Sequence, residues 1–502
     1  MGYSFRTNRI YIAIYRAPGK SAKRPSAAHP LPGWHRIPRR PGDPDYGELS
    51  MKTLLGVLGI DRAIGYTLAG RGWGLLSGIV TLLLVVRYLT PEEQGYYYTF
   101  ASILAMQILF ELGMSYVVMQ FASHEMAHLT WSEAGTVEGD ANAKSRLRSL
   151  MLLVIKWYGA ISGLLVVAIL PLGWILFSMN HPGATVNWQT AWVWLVVAAA
   201  VNVFIVPLLA LLEGCGRVTD VARLRMYQNI VGSLLCWMVL LGGGGLLAMP
   251  AMSTGLALTV MVWLWRTKRN SLKSLLAQDI PGAVISWATE IWPFQWRIAL
   301  SWLSGYFIFQ LFTPVLFLYR GPVEAGQVGM SISIANALMS IAMAWMNTKA
   351  PGFGALVARR DYASLDHVFV LTLSRSLAVT IVIGALLCAV NYYVHIEQIR
   401  FANRILDPLP FGLLMLATVF AYVTYAQAAY LRAHKEEPFM TISLISAVLI
   451  GVLTFALGKQ YGATGVMAAY FAVSGIVGMG CGSMIFFSKR RDWRKIAGVD
   501  AI

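Results

Sequence analysis

Four basic side chains lie inside apolar segments, where a charge is costly unless it meets water, a counter-charge or an anionic ligand. These cations are Arg71, Lys156, Arg297 and Arg375. Each follows the start of its segment by about six to eight residues, which places all four roughly 10 Å below the cytosolic edge of a membrane. Arginine holds phosphate oxygens in a bidentate way, and lysine acts as a point charge. We therefore predict a cationic, water-filled cavity that binds an anionic head group. The alternative is that each side chain snorkels to the membrane surface.

Glu111 is the one carboxylate placed deep in an apolar segment, the second along the chain. A lone carboxylate at membrane depth needs a partner, a proton or water. Two interpretations stay open. Glu111 forms an ion pair with an arginine such as Arg71, or it is a site that couples transport to a proton or another cation.

Neutral polar side chains at membrane depth form a third set of candidates. The members that suit contacts with sugar hydroxyls, which need donors and acceptors rather than charge, are Gln310, Asn336, Tyr422 and Gln427. The alternative is that these side chains only link neighbouring helices.

Sequence signatures of covalent chemistry are missing. The chain has no Walker loop, nucleotide fingerprint, HExxH motif or GxSxG motif. Its four cysteines lie in or beside separate apolar segments, with no CxxC or His-paired spacing that would predict a metal site. We predict that the protein is not an enzyme and has no catalytic residue, metal or cofactor.

Composition defines the class of protein. Of 502 residues, 57% are hydrophobic and 13% are charged, so the apolar segments far exceed what one soluble core could bury. The net charge is +16, but the basic residues cluster between apolar segments, as in cytosol-facing loops. This pattern excludes a nucleic-acid partner and indicates a membrane protein.

Twelve apolar segments are long enough to cross a hydrocarbon layer of roughly 30 Å. They cover residues 64–88, 96–119, 149–177, 190–212, 226–242, 246–265, 291–318, 326–347, 369–394, 408–431, 438–457 and 463–487. The glycines from Gly242 to Gly245 predict either a tight turn or a flexible break between the fifth and sixth. Because most loop Lys and Arg residues lie on one side, both termini are predicted to be cytosolic. The cytosolic connections 122–149 and 350–367 are expected to form short interfacial helices.

A repeat divides the chain into halves. The stretch from Arg71 to Gly95 recurs in altered form from Arg297 to Gly326, and both copies contain Leu-Ser-Gly and end in Tyr-x-x-Pro-x-Glu-x-Gly. A repeat that spans half of a hydrophobic chain is typical of transporters built from two similar bundles. We predict an all-α polytopic membrane protein with twelve transmembrane helices in two pseudo-symmetric six-helix bundles.

The predicted domain boundaries follow from this repeat. A first lobe (51–268) and a second lobe (291–488) are joined by a cytosolic linker (269–290) and followed by a basic cytosolic tail (489–502). Residues 1–50 are rich in Pro and basic residues and are expected to be disordered. We interpret Met51 as the native start.

The repeat, together with Glu290–Pro314 (EIWPFQWRIALSWLSGYFIFQLFTP) and Ala344–Ala358 (AWMNTKAPGFGALVA), resembles bacterial polysaccharide-biosynthesis membrane proteins. That family is similar to O-antigen flippases of the multidrug, oligosaccharidyl-lipid and polysaccharide (MOP) exporter superfamily. The resemblance implies two six-helix lobes arranged in a V around a basic cavity. It also implies ion-driven alternating access that translocates an undecaprenyl-pyrophosphate-linked oligosaccharide. The four intramembrane cations match the family's tendency to place cations in the cavity.

The function expected from these observations is that of a flippase in the bacterial cytoplasmic membrane. Its expected partners are membrane lipids, the lipid-linked oligosaccharide, a coupling ion (H⁺ or Na⁺) and polysaccharide polymerase or export machinery. Three alternatives stay open. A MATE-type multidrug/cation antiporter should have more cavity carboxylates. A membrane-embedded polymerase or ligase should have a large outer loop or a carboxylate pair. The third is a scaffold of an export complex.

Overall fold

The computed structural model describes residues 62–132, 135–179, 186–268, 283–293, 295–296, 306, 308, 310–434 and 436–496. The segment 1–50, the interpreted start at Met51 and the cation Arg297 lie outside the described residues. We call the end of the bundle at Pro91 and Pro322 the outer end and the opposite end the inner end, following the predicted orientation.

Helices dominate the first lobe. Its elements are α1 (Arg62–Tyr88), α2 (Pro91–Leu104), α3 (Gln107–Glu111), α4 (Met114–Met126), β1 (Leu129–Trp131), β2 (Val137–Gly139), α5 (Ala141–Ser178), α6 (Gln189–Gly214), α7 (Val218–Leu241) and α8 (Ala248–Trp263). Local sequence defines two of the helix starts. Thr90 and Glu93 form a capping box at α2, with Pro91 in the first turn. Asp140 accepts a hydrogen bond from the Ala143 N–H at 2.8 Å and caps α5.

The second lobe is also formed mainly by helices. Its elements are a π-helical turn (Trp287–Ile291), α9 (Phe312–Arg320), α10 (Pro322–Ala358), α11 (Tyr362–Ile396), α12 (Pro408–Ala433), α13 (Met440–Val473), a second π-helical stretch (Ser474–Cys481) and α14 (Gly482–Ile496).

The described helices account for the predicted spans. Nine are long and apolar enough to cross a membrane, and α2 to α4 form a bent tenth candidate. The continuous stretch Met440–Lys495 is 56 residues long and is kinked at Gly462, so it contains two of the predicted crossings. In the seventh predicted segment, 291–318, 12 of the 28 residues lie outside the described residues. Together these helices confirm the all-α polytopic fold.

The turn between the fifth and sixth spans is tight. Helix α7 ends at Leu241, and a single 3₁₀ turn, Gly245–Leu247, leads directly into α8. Gly243 (φ 73°) and Gly245 (φ 55°) have positive φ, which glycine adopts without steric cost. The tight-turn alternative is therefore confirmed.

The prediction of two short interfacial helices is wrong. Between α4 and α5 the chain forms an antiparallel hairpin in which Leu129 pairs with Gly139 and Trp131 with Val137. Glycines with positive φ at 135 and 139 and the Thr- and Val-containing strands favour this hairpin over a helix. In the second lobe α10 continues to Ala358 and α11 begins at Tyr362, so no separate helix lies between them.

Ion pairs connect neighbouring elements at the inner end of each lobe. Arg146 of α5 donates to Glu125 of α4 at 2.8 Å and to Glu290 of the π-helical turn at 2.7 Å. In the second lobe, Asp366 accepts from Arg490 and Arg494 of α14. Burial raises the pKa of Asp366, but the hydrogen bonds from these two guanidinium groups outweigh burial and hold the pKa below its ordinary value.

Candidate functional site

The two copies of the Tyr-x-x-Pro-x-Glu-x-Gly motif meet at the outer end. A Cβ atom on Gly95 would lie 1.9 Å from the Pro322 carbonyl oxygen, and one on Gly326 would lie 2.8 Å from the Gly95 nitrogen. Neither position has room for a side chain. The repeated glycines therefore let the first turns of α2 and α10 touch through their main chains, and this contact joins the lobes.

Hydrogen bonds from two polar side chains reinforce this contact. The Gln94 amide, 1% exposed, donates to the carbonyl oxygens of Gly326 at 3.0 Å and Arg404 at 2.8 Å. The Arg404 guanidinium in turn donates to the Leu89 carbonyl at 2.5 Å and to Gln94 Oε1 at 3.4 Å. These bonds connect α2 of the first lobe to the loop before α12 in the second. Each would have to break for the outer ends to separate.

The glutamates of the motif have a role that the sequence did not predict. Glu93 lies beside Gly245, where a Cβ would be 3.2 Å from its Oε1, and Glu324 accepts a hydrogen bond from the Ala463 N–H next to Gly462. Each glutamate therefore contacts the positive-φ glycine that turns the last helical pair of its own lobe. The motif thus has three parts: a proline that starts a helix, a glutamate that supports the outer turn, and a glycine that contacts the other lobe.

Aromatic side chains fill the space behind this contact. Tyr96 lies 4.9 Å from Phe317 between ring centroids, and Phe177 lies 5.3 Å from the same ring, so α2 and α5 of the first lobe both pack against α9 of the second. Val85 and Met330, one from each lobe, are fully buried in the same hydrophobic cluster. Apolar side chains from both lobes therefore fill the outer end.

One face of α10 changes environment along its length. At the outer end Gly329 packs so closely on Tyr98 that an added Cβ would lie 2.3 Å from the Tyr98 Cβ. The same face continues through polar side chains at helical spacing. These are Ser333, Asn336, Ser340 and Asn347. Ser333 is half-buried and the other three are exposed. The face that contacts the first lobe at the outer end is therefore open and polar toward the inner end.

Arg71 lies on a comparable face of α1. Its side chain is exposed, whereas Val85 and Leu89, four and five helical turns along the same face, are 0% and 2% exposed. Leu89 is the residue whose carbonyl Arg404 binds. Arg71 therefore lies below the closed outer end, on a face that leads up to it.

Lys156 and Arg375 are placed differently. Both side chains are exposed, and each shares its helix face with apolar side chains that stay exposed along the helix. Val167 of α5 is 72% exposed, and Val382 of α11 is 67% exposed. Such a face is typical of contact with lipid. The Arg71 face also has an exposed apolar side chain, Leu75, and differs only in ending at buried residues. Arg297 lies outside the described residues.

The four polar candidate residues occupy two kinds of position. Asn336 is on the open face of α10, and Gln310 is half-buried in the turn before α9. Tyr422 is fully buried and its hydroxyl bonds Ser376 of α11, and Gln427, 5% exposed, donates to Ser483 of α14 at 2.9 Å. Tyr422 and Gln427 thus link helices within the second lobe.

Glu111 lies at a break in the second span. Its carboxylate accepts a hydrogen bond from the Ser115 hydroxyl, which lies 3.2 Å from the hydroxyl of Tyr158 on α5. Within the described ranges, no Lys, Arg or His side chain forms an ion pair with Glu111. The same ranges contain no group of three His, Cys, Asp or Glu side chains that could hold a metal ion.

Comparisons with known proteins identify the fold. No protein-family model matches the sequence, and no curated protein is similar to it in sequence. Several solved structures are similar over most of their length, among them a flippase and a multidrug transporter. The lipid II flippase MurJ in an inward closed conformation has a TM-score of 0.60 at 14% identity, covering 86% of this chain and 90% of that one. An inward-facing multidrug resistance MATE family transporter of the MOP superfamily has a TM-score of 0.54 at 16% identity, covering 84% and 95%. The chain therefore has the twelve-helix, V-shaped fold of MOP transporters and is a multi-pass membrane protein.

Proposed function

We propose that this protein is a flippase that moves an undecaprenyl-pyrophosphate-linked oligosaccharide, a surface polysaccharide precursor, across the bacterial cytoplasmic membrane by alternating access. The observation that supports this most is the face of α10, which packs against the first lobe at the outer end and is exposed and polar toward the inner end. A carrier that is closed outside and open inside can receive a substrate made in the cytosol. The fold, shared with a lipid II flippase, agrees with such a cycle.

The four intramembrane cations have two roles in this proposal. Arg71 and Arg297 bind the pyrophosphate inside the passage through bidentate hydrogen bonds. Lys156 and Arg375, on exposed apolar faces, meet the head group while its polyprenyl chain is still in the bilayer. Asn336 and Gln310 would contact the sugar. Both termini face the cytosol, H⁺ or Na⁺ drives the cycle, and a polysaccharide polymerase or export complex receives the product.

The test is a sidedness measurement in vesicles. Purified protein is reconstituted with a fluorescent lipid-linked oligosaccharide, an ion gradient is imposed, and the label in the outer leaflet is quenched. We expect gradient-dependent movement by the unaltered protein. The double substitution Arg71→Ala/Arg297→Ala should slow this movement about tenfold or more, because each lost charge-assisted hydrogen bond weakens binding by about 1.5–3 kcal/mol.

The matched control is Arg87→Ala, which removes an exposed arginine from the outer end of the same helix, α1. This variant should flip the substrate normally. Unaltered movement in a folded Arg71→Ala/Arg297→Ala protein would return both arginines to the snorkelling interpretation. Extension or transfer of the sugar without any change in sidedness would instead establish a polymerase or ligase.

A second candidate, a multidrug/cation antiporter, is favoured by Glu111. This carboxylate has no cationic partner among the described residues, and carboxylates are what a passage for cations needs. Gradient-driven efflux of a cationic dye that is lost in Glu111→Gln, with no movement of the lipid-linked oligosaccharide, would establish this function instead.

A further inference from the structure

The second span is interrupted by two residues in the left-handed backbone conformation. Helix α3 ends at Glu111, and Leu112 (φ 50°) and Gly113 (φ 69°) follow in the left-handed region before α4 begins at Met114. The two helical parts are bent by 43° relative to each other. A leucine rarely adopts this conformation, so the surrounding structure must hold the break in place.

The break leaves main-chain oxygens without main-chain donors. The Leu112 N–H still bonds the Ile108 carbonyl at 3.1 Å, but in this described stretch no bond runs from residues 113–115 back to residues 109–111. The carbonyl groups of Leu109, Phe110 and Glu111 therefore accept no main-chain hydrogen bond from the described residues. The carboxyl end of a helix also carries partial negative charge.

Three side-chain oxygens lie close together beside this break. The Glu111 carboxylate is half-buried, its Oε1 accepts from Ser115, and the Ser115 oxygen lies 3.2 Å from the Tyr158 hydroxyl, which belongs to a residue only 1% exposed. Tyr158 fixes this group of oxygens against α5. The break therefore has a carboxylate, two hydroxyl groups and several main-chain carbonyl groups near the end of α3.

The second lobe shows that the fold does not require this break. Aligning Gly95 with Gly326 places Ala342 opposite Glu111 and Ala344 opposite Gly113. Helix α10 continues through both positions without interruption, and Ala342 is buried in the hydrophobic cluster of its lobe. The break and the carboxylate occur together in the first lobe, and neither is present at the equivalent point of the second.

We propose that the break at Leu112–Gly113 is a binding site for Na⁺, formed by the Glu111 carboxylate, the Ser115 hydroxyl and the carbonyl groups at the end of α3. An all-oxygen set with one negative charge suits a hard monovalent cation, and unwound carbonyls at half-helix ends are the usual ligands of such ions in carriers. A proton would occupy one carboxylate oxygen and use none of these carbonyls. The bound ion would hold α3 and α4 together across the break, and, if the proposed function is right, its binding and release drive the movement of the lobes.

The test measures ion binding without any lipid-linked substrate. The melting temperature of the purified, full-length protein in detergent is followed as NaCl replaces choline chloride at constant ionic strength, between about 1 and 100 mM. We expect the Tm to rise with Na⁺. The rise should be lost in Glu111→Gln, and in Ser115→Ala the half-maximal NaCl concentration should increase about tenfold.

The control is Glu213→Gln, which removes a first-lobe carboxylate that is already paired with Arg225 at 3.0 Å. This variant should keep the Na⁺-dependent rise. If Glu111→Gln fails to fold, the Ser115→Ala variant tests the proposal by itself. A half-maximal NaCl concentration that is unchanged in Ser115→Ala would contradict the Na⁺ site. A Tm that responds to pH but not to Na⁺ would also overturn it. Na⁺ binding without flipping would contradict the proposed function and leave the site standing.

Discussion

The second span of the first lobe and its repeat in the second lobe begin alike and then differ. Both start at the motif proline, and their glycines, Gly95 and Gly326, touch at the outer end. Further in, α10 continues to Ala358 as one helix of 37 residues, whereas its counterpart is broken at Leu112–Gly113. The repeat has therefore kept the residues that close the outer end and lost symmetry where Glu111 lies. Closure is a property of both lobes, and the proposed ion site belongs to one.

Filling the shared contact should have the largest effect. Gly95→Leu adds a side chain whose Cβ would lie only 1.9 Å from the Pro322 carbonyl oxygen. The main chains of the two lobes would therefore have to separate. We expect a loss of about 3 kcal/mol or more in stability, as for severe overpacking, or a protein held open at its outer end. Thermal unfolding in detergent and labelling of Tyr98→Cys by an impermeant thiol reagent measure the two outcomes.

Gly78→Ala is the control for that change. Gly78 belongs to the repeated Leu-Ser-Gly, but nothing lies within 4 Å of its added Cβ, and it is in the interior of α1. Its substitution should leave the Tm unchanged or raise it slightly. Equal effects at Gly78 and Gly95 would show that the outer contact is not special.

Removing the hydrogen bonds across the contact should have a smaller effect. Arg404→Ala leaves the Leu89 carbonyl and the buried Gln94 amide with fewer partners. We expect a loss of about 1–3 kcal/mol and faster labelling of Tyr98→Cys. Arg400→Ala, at an exposed position of the same loop, should change neither measurement. If the two arginine variants behave alike, Arg404 does not hold the outer end closed.

The break itself can be compared with its unbroken counterpart. Gly113→Ala puts a Cβ at φ 69° and should cost about 1–2 kcal/mol. Ala344→Gly in α10 only lowers helix propensity and should cost about 0.5–1 kcal/mol. Urea or thermal unfolding of both variants measures the difference. A Gly113→Ala protein as stable as the parent would mean that the second span can be straightened without loss.

The smallest effect is expected at the inner end of the second lobe. The pKa of Asp366 is lowered, because hydrogen bonds from Arg490 and Arg494 outweigh burial. The stability that this carboxylate contributes is therefore present above its unfolded-state pKa of about 3.8 and is lost as the pH falls through the lower folded-state pKa. Asp366→Asn should cost about 1 kcal/mol at neutral pH and flatten the acid limb of a Tm-versus-pH curve. An unchanged acid limb would show that the pair contributes nothing there.

The sequence was sufficient for the parts of the fold that depend on hydropathy and repetition. Apolar length gives the spans, and the recurring motif gives the two lobes. The hairpin at Leu129–Gly139 could not be foreseen, since its strands are three residues long and its pairing is set by glycines with positive φ.

The candidate site was harder to predict. Depth along a helix follows from counting residues, but the face on which Lys156 or Arg375 lies depends on the packing of neighbouring helices. A signal was nevertheless present for the outer contact. Gly95 and Gly326 recur at one position of the repeat, and a repeated glycine at a helix start indicates close approach of two main chains.

The most direct test of alternating access is a pair of distance distributions measured by pulsed electron paramagnetic resonance. Spin labels at the exposed positions Thr90 and Val323 report the outer end, and labels at Asn142 and Arg359 report the inner end. The half-buried Cys388 and the exposed Cys481 are first replaced by serine so that they take up no spin label. On addition of the lipid-linked oligosaccharide and Na⁺, we expect the outer distance to widen while the inner distance narrows. Outer and inner distances that stay fixed, or that change in the same direction, would contradict the account.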